Sequence, residues 1–162
     1  MGEYVPYQEL PGIIEKEKHA GKRVVLTGGV FDIVHPAHLY LFEIARGLGD
    51  ILVVNVVNDK RVRYYKGSER PLNPEMQRAQ VISGYEWVNY ATIHPDFEKG
   101  PTIELSLLIK PYIIVRGERG WEDAERERLR KLLNYNVELR SIGRIDTNIS
   151  TTSIIEKIKK GL

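Results

Sequence analysis

The chain has 162 residues, 42% hydrophobic and 28% charged, with a formal net charge of +2, the profile of one globular domain with a full core. So small a charge leaves no electrostatic footprint for nucleic acid or an anionic membrane, and the absence of cysteine excludes disulfides, zinc–thiolate sites and thiol nucleophiles. No apolar run approaches the roughly 20 residues of a membrane span, and Met1–Leu10 lacks the basic start and apolar stretch of a signal peptide, which predicts a cytoplasmic location.

Strand-like and helix-like segments alternate along the chain, the pattern of a parallel α/β domain. An N-terminal extension over residues 1–20 carries a short helix around Ile13–Ala20. Arg23–Thr27 reads as a buried strand, followed by Gly28-Gly29 and a helix from Pro36 to Leu48, with proline in its first turn and Gly47 and Gly49 ending it. Ile51–Val57 is a continuous β-branched run and therefore a strand covered on both faces. Asp59–Tyr65 forms a short helix, and Pro74–Ser83 a longer one with Asn73 as its N-cap. Tyr90–Ile93, Tyr112–Arg116 and Val137–Arg140 are strands; Thr102–Ile109, Trp121–Leu133 and Ser150–Lys160 are helices. The expected fold is a single Rossmann-like, doubly wound parallel sheet of about five strands with helices on both faces, spanning residues 1–162.

Three loops then follow the carboxyl ends of strands: Gly28–His35, Gly117–Gly120 and Ser141–Ile149. In open parallel sheets the ligand sits at that edge, beside a switch in strand order. The first loop carries the most chemistry. Glycines after a buried strand let a phosphate approach the backbone closely, and the next helix turns its free N–H groups and positive dipole end toward that space. His35 and His38 are three residues apart and share one helix face, so two imidazoles can donate to one oxyanion. The alternatives are ordinary capping or a metal pair, for which no third ligand stands out.

Gly29-Val30-Phe31-Asp32 followed by His35-Pro36-Ala37-His38 resembles the signature of the cytidylyltransferase-like nucleotidyltransferases, whose HxGH motif also occurs in class I aminoacyl-tRNA synthetases. Ala37 stands where a glycine is usual. Three more segments agree in order. Gly47-Leu48-Gly49-Asp50 with the strand after it is similar to a second motif of the group. Lys66–Pro74 with Gln77-Arg78 resembles heptose-phosphate adenylyltransferase domains. Ile149–Ile155 resembles the ISTT segment of glycerol-3-phosphate cytidylyltransferase and its heptose relatives.

The resemblance implies transfer of AMP or CMP from ATP or CTP to a phosphorylated sugar or polyol, by direct attack of the acceptor phosphate on the α-phosphate. It implies catalytic roles for His35, His38, Lys66 and Arg144. A nucleotide site would be built from Gly28, Gly29, Val30, Phe31, Arg116, Gly117, Ser150, Thr151 and Thr152. Lys66, Arg78, Glu118, Arg119 and Trp121 would meet the acceptor, Arg119 standing where an aspartate is frequent; the alternative for Arg78 is a pair with a carboxylate such as Glu75 or Glu86. Asp32 would hold the loop. Mg²⁺ would arrive on the triphosphate, held by phosphate oxygens and water, with no metal site of the protein's own.

Relatives are often homodimers, and Tyr85–Tyr90 is either core or a subunit face. FMN or phosphopantetheine are alternative acceptors, and a non-catalytic nucleotide-binding regulator is the rival class. The mixed-sign Glu122–Arg130 run reads as a solvated helix with internal ion pairs rather than a nucleic-acid surface.

Overall fold

The computed structural model describes residues 2–95, 101–117, 122–143 and 149–161. Their elements run β1 (Glu3–Tyr4), α1 (Leu10–His19), β2 (Val24–Gly29), α2 (Pro36–Gly47), β3 (Ile51–Val57), α3 (Asp59–Lys66), α4 (Glu75–Ser83), β4 (Tyr90–His94), α5 (Pro101–Ile109), β5 (Ile113–Arg116), α6 (Asp123–Leu133), β6 (Glu138–Ser141) and α7 (Thr151–Lys159). All six strands pair in parallel, in the order β1-β4-β3-β2-β5-β6. The chain moves outward from β2 through β3 and β4, then returns to lay β5 against the other side of β2. The gap above β2 and β5 is therefore the switch point of the sheet, where the loops diverge and a ligand can enter.

The strand interiors alternate between two apolar layers, as a two-residue period requires. Val25, Leu52, Val54, Val56, Ala91, Ile93, Ile113 and Val115 face Leu41, Phe42 and Ala45 of α2 and Ala79 and Ile82 of α4. Val24, Leu26, Ile51 and Val53 face Leu10 and Ile14 of α1 and Leu105 and Ile109 of α5. Ile114 and Leu139 extend that second face under Leu129 and Leu133 of α6. Both faces are covered, which is why the strands read as unbroken hydrophobic runs rather than as alternating ones.

The sheet has six strands where about five were expected. The added one, β1, is only two residues long, and it owes its place to backbone pairing with β4 (Glu3 opposite Tyr90) rather than to any apolar run. Asn73 is not the cap of α4. Pro74 takes that position, while the Asn73 amide groups turn back to Asp32, its backbone N–H reaching Oδ1 at 2.9 Å and its Nδ2 the Asp32 carbonyl at 2.7 Å. The aromatic stretch before β4 belongs to the core: Val88 is buried, and Tyr85 and Trp87 pack on the α2–α4 layer.

Candidate active site

The site begins where β2 runs out. Gly28 and Gly29 close the strand, and a side chain at either would force a neighbour to shift. A Cβ on Gly29 would lie 2.7 Å from the Phe31 ring, and one on Gly28 would lie 2.8 Å from Thr102 Oγ1. Phe31 takes a left-handed backbone (φ 51°), which turns the chain sharply and drives its ring inward against Phe42, with centroids 5.2 Å apart. The same ring meets His38 edge-on at 5.1 Å.

α2 then starts from an extended His35 with Pro36 in its first turn. The His35 and His38 rings stack with centroids 3.8 Å apart. His38 Nδ1 accepts a long bond, 3.4 Å, from the His35 backbone N–H, so the neutral ring carries its hydrogen on Nε2. Burial, the adjacent His35 and the positive charge of Lys66 push the His38 pKa down to about 3. His38 is thus a neutral hydrogen-bond donor at ordinary pH, and Lys66, the last residue of α3, lies close enough for its charge to be felt there.

Two cavities meet at the glycines. One, of about 220 Å³, is lined by Gly28, Gly29, Phe31, His35, Ala37, His38, Tyr40, Leu41, Gly117, Ile142 and Gly143. The other, of about 290 Å³, opens on the α5–α6 side between Gly28, Gly29, Arg61, Thr102, Ser106, Arg116 and Glu125, over a floor of Ile103, Ile114, Leu129 and Leu133. The first offers imidazoles and backbone next to apolar side chains. The second offers two guanidiniums and two hydroxyls at the rim of an aliphatic chamber.

Arg116 ends β5 and pairs with Glu125 of α6 at 2.6 Å, and Gly117 follows it into the histidine cavity. Ser150 caps α7 in a reciprocal arrangement with Ser153: the Ser153 N–H reaches Ser150 Oγ at 3.0 Å, and the Ser150 N–H reaches Ser153 Oγ at 2.8 Å. Thr151 Oγ1 donates to the Ile33 carbonyl at 3.3 Å. The start of α7 is thereby held against the His35 loop, and the exposed Thr152 sits beside it. Val30 supplies a carbonyl to Arg78.

Of the two readings of Arg78, acceptor contact or a pair with a carboxylate, the structure shows the pair, with Asp59. Its side chain is fully buried, and it donates to Val30 O, to Asn73 O at 2.9 Å, to Val57 O at 2.8 Å and to Asp59 Oδ1 at 2.7 Å. These bonds occupy the guanidinium within the scaffold, where it ties the ends of β2 and β3 to α4. Glu118, Arg119, Trp121 and Arg144 lie outside the described residues, as does Asn148.

The sequence did not single out Arg61, Thr102, Ser106, Tyr40, Leu41 or Ile142, all of which line the cavities. Thr102 and Ser106 share one helix face (i, i+4), the only local signal they carried. Among the described residues no group of three His, Asp or Glu side chains could hold a metal ion. No helix among the described residues is long and apolar enough to cross a membrane.

Residues 26–157 match the family described as cytidylyltransferase-like. The chain is 34% identical over 161 residues to a protein named bifunctional protein HldE from Desulfatibacillum aliphaticivorans, with 96% of this chain and 31% of that protein covered. It is 37% identical over 147 residues to the protein of the same name from Pelobacter propionicus, covering 90% and 29%. The chain therefore spans under a third of the length of these relatives. Among solved structures, that of a lipopolysaccharide core biosynthesis protein from Thermoplasma volcanium superposes with a TM-score of 0.68 at 29% identity, covering 78% of this chain and all of that one.

Proposed function

The chain belongs to the cytidylyltransferase-like family of nucleotidyltransferases, and from that premise we propose that it transfers the nucleoside monophosphate of an NTP to a sugar phosphate. One observation carries the reading: two cavities of different chemistry share a wall at Gly28–Gly29, above the switch point of the sheet. The histidine cavity takes the nucleotide, and the α5–α6 cavity takes the acceptor. An acceptor phosphate oxygen attacks the α-phosphorus, the bond from that phosphorus to the β-bridging oxygen breaks, and pyrophosphate leaves in line. No enzyme nucleophile is required, and no thiol exists to supply one.

The protein's work is positioning and charge stabilisation. The imidazoles of His35 and His38 donate to phosphoryl oxygens, Lys66 adds a cation, and the free N–H groups at the start of α7, with Ser150, Thr151 and Thr152, hold the outer phosphates. Arg144, which precedes α7 in the sequence, is assigned to the same phosphates. Gly117 with Leu41 and Ile142 receives the base through backbone groups and apolar contact. Arg61, Arg116, Thr102 and Ser106, together with Glu118, Arg119 and Trp121, bound the acceptor. Mg²⁺ enters with the triphosphate on phosphate oxygens and water.

ATP is the favoured donor, because Lys66–Pro74 is similar to heptose-phosphate adenylyltransferase domains. CTP is the second reading, on the strength of the Ile149–Ile155 segment. A sugar phosphate also suits the likeness to a lipopolysaccharide core biosynthesis protein, since oligosaccharide cores are assembled from activated sugars. We further assign the enzyme to the cytoplasm, where NTPs are available, and expect a homodimer.

The test is pyrophosphate release with Mg²⁺, each of the four NTPs, and a panel of sugar and polyol phosphates, with FMN and phosphopantetheine as outliers. Turnover with ATP and a sugar phosphate supports the reading. Tight NTP binding without turnover on any acceptor replaces it with a regulatory role.

A further inference from the structure

The segment between Lys66 and α4 is tied down at one point. Asp32, with its carboxylate fully buried, receives Arg70 Nε at 2.8 Å, the Leu72 N–H at 2.9 Å and the Asn73 N–H at 2.9 Å. Its own carbonyl accepts from Asn73 Nδ2. Four donors converge on one residue that lies three positions before His35. On the other side, Lys66 ends α3, Gly67 breaks the helix at φ 90°, and the Arg70 N–H closes a turn onto the Gly67 carbonyl at 3.2 Å.

The path from the Lys66 backbone to the buried carboxylate is therefore one tight turn and one guanidinium. Burial opposes ionisation of Asp32, but its hydrogen bonds from Asn73, Leu72 and Arg70 outweigh it and hold the carboxyl below its ordinary value of 3.8, so the anchor is ionised at neutral pH.

We propose that Asp32 and Arg70 are positioning residues that set the distance between the Lys66 ammonium and the His35–His38 pair. The proposal rests on the reaction described above and deepens it. Without the anchor, the Arg78 knot would still join the 67–73 segment to the histidine loop, but it grips Val30 and Asn73 and not the residues next to Lys66. The long, exposed lysine would then sample many positions, and the reaction would lose an oriented cation rather than a binding site. The histidine cavity does not use Arg70 or the 67–73 segment in its lining, so nucleotide entry stays intact.

The test is a double-mutant cycle on kcat. Asp32→Asn is isosteric and removes the charge; Arg70→Ala removes one bond at the edge of the knot and is the variant that keeps the fold. Arg70→Ala should lower kcat about tenfold in the wild-type background, in the range of networked pairs, and change nothing further in a Lys66→Ala background. In a His38→Ala background the same substitution should retain its full tenfold effect. Free guanidinium ion should restore part of the Arg70→Ala loss and do nothing for Lys66→Ala. Equal Arg70→Ala effects with and without Lys66 overturn the proposal, as does failure of guanidinium to rescue.

Wild-type protein inert toward every acceptor removes the proposed reaction but leaves the strap testable by binding of inorganic tripolyphosphate. Arg70→Ala must then weaken binding only when Lys66 is present. Additive losses in that assay, or no tripolyphosphate binding by the wild type, overturn the strap itself.

Discussion

Thr151 Oγ1 donates to the carbonyl of Ile33 across 118 positions of sequence. That bond brings the start of α7 to the loop that leads into α2. One helix beginning can hold an anion; two brought together can hold a chain of phosphates. Thr151→Val should cost about 1 kcal/mol, the worth of one hydrogen bond, and lower Tm by roughly 3 °C. The KM for the NTP should rise more than stability alone explains, and Thr151→Ser should restore both, as thermal melts and kinetics on the three proteins will show.

His38→Ala should lower kcat on the order of 100-fold, the usual effect of removing one preorganised donor, while the far-ultraviolet spectrum stays that of the wild type. Near-normal turnover would remove His38 from the chemistry and leave it a packing partner of Phe31.

His38 also makes a pH prediction with a definite sign. Its native pKa is about 3, against an ordinary 6.5. Between those values the unfolded chain binds the proton and the native one does not, so stability falls as pH falls, by at most about 1.4 kcal/mol per pH unit. The Asp32 pKa is lowered too, but for an acid this stabilises the charged form, so its contribution is present above the ordinary 3.8 and is lost only as pH falls through its lower native value. Melts between pH 7 and pH 5 isolate the histidine, and His38→Gln should flatten the slope there. A triphosphate beside the ring should raise the His38 pKa, which histidine proton shifts with and without NTP will read.

Gly29→Ala places a methyl against the Phe31 ring and should displace the ring that supports His38. The expected loss is on the order of 100-fold in kcat/KM, with most stability kept. Gly28→Ala meets Thr102 Oγ1 on the other cavity, so its effect should fall on the KM of the acceptor.

Arg78→Met tests the reassignment of that residue. A buried guanidinium bonded to three carbonyls and Asp59 leaves all of them unsatisfied when removed, at a cost of roughly 3–5 kcal/mol and about 10 °C in Tm. The folded fraction should keep the wild-type KM for the acceptor; a large rise at unchanged Tm would return Arg78 to the substrate.

Sequence reading located the main strands because both sheet faces are covered, so Val24–Gly29 and Ile51–Val57 needed no alternation to be seen. It missed β1, whose two residues have no hydrophobic period and pair only because β4 presents an open edge. It also misplaced Asn73, since an asparagine before a proline and a helical run is a sound local cap, and only the distant Asp32 makes a better partner. For Arg78 the sequence left acceptor contact and pairing with a carboxylate both open; an arginine is ordinarily exposed, and nothing local announces that three carbonyls and the Asp59 carboxylate surround it.

What the one-dimensional pattern showed is which groups are available: two glycines at a strand end, a histidine pair at the start of a helix, hydroxyls at the start of a later one. These are short-range matters, decided by spacing and backbone geometry. Which groups share a wall, which guanidinium is buried and which carboxylate anchors the lysine segment were decided by the parallel sheet, because its strand order folds β5 back beside β2 and brings together loops that are far apart along the chain.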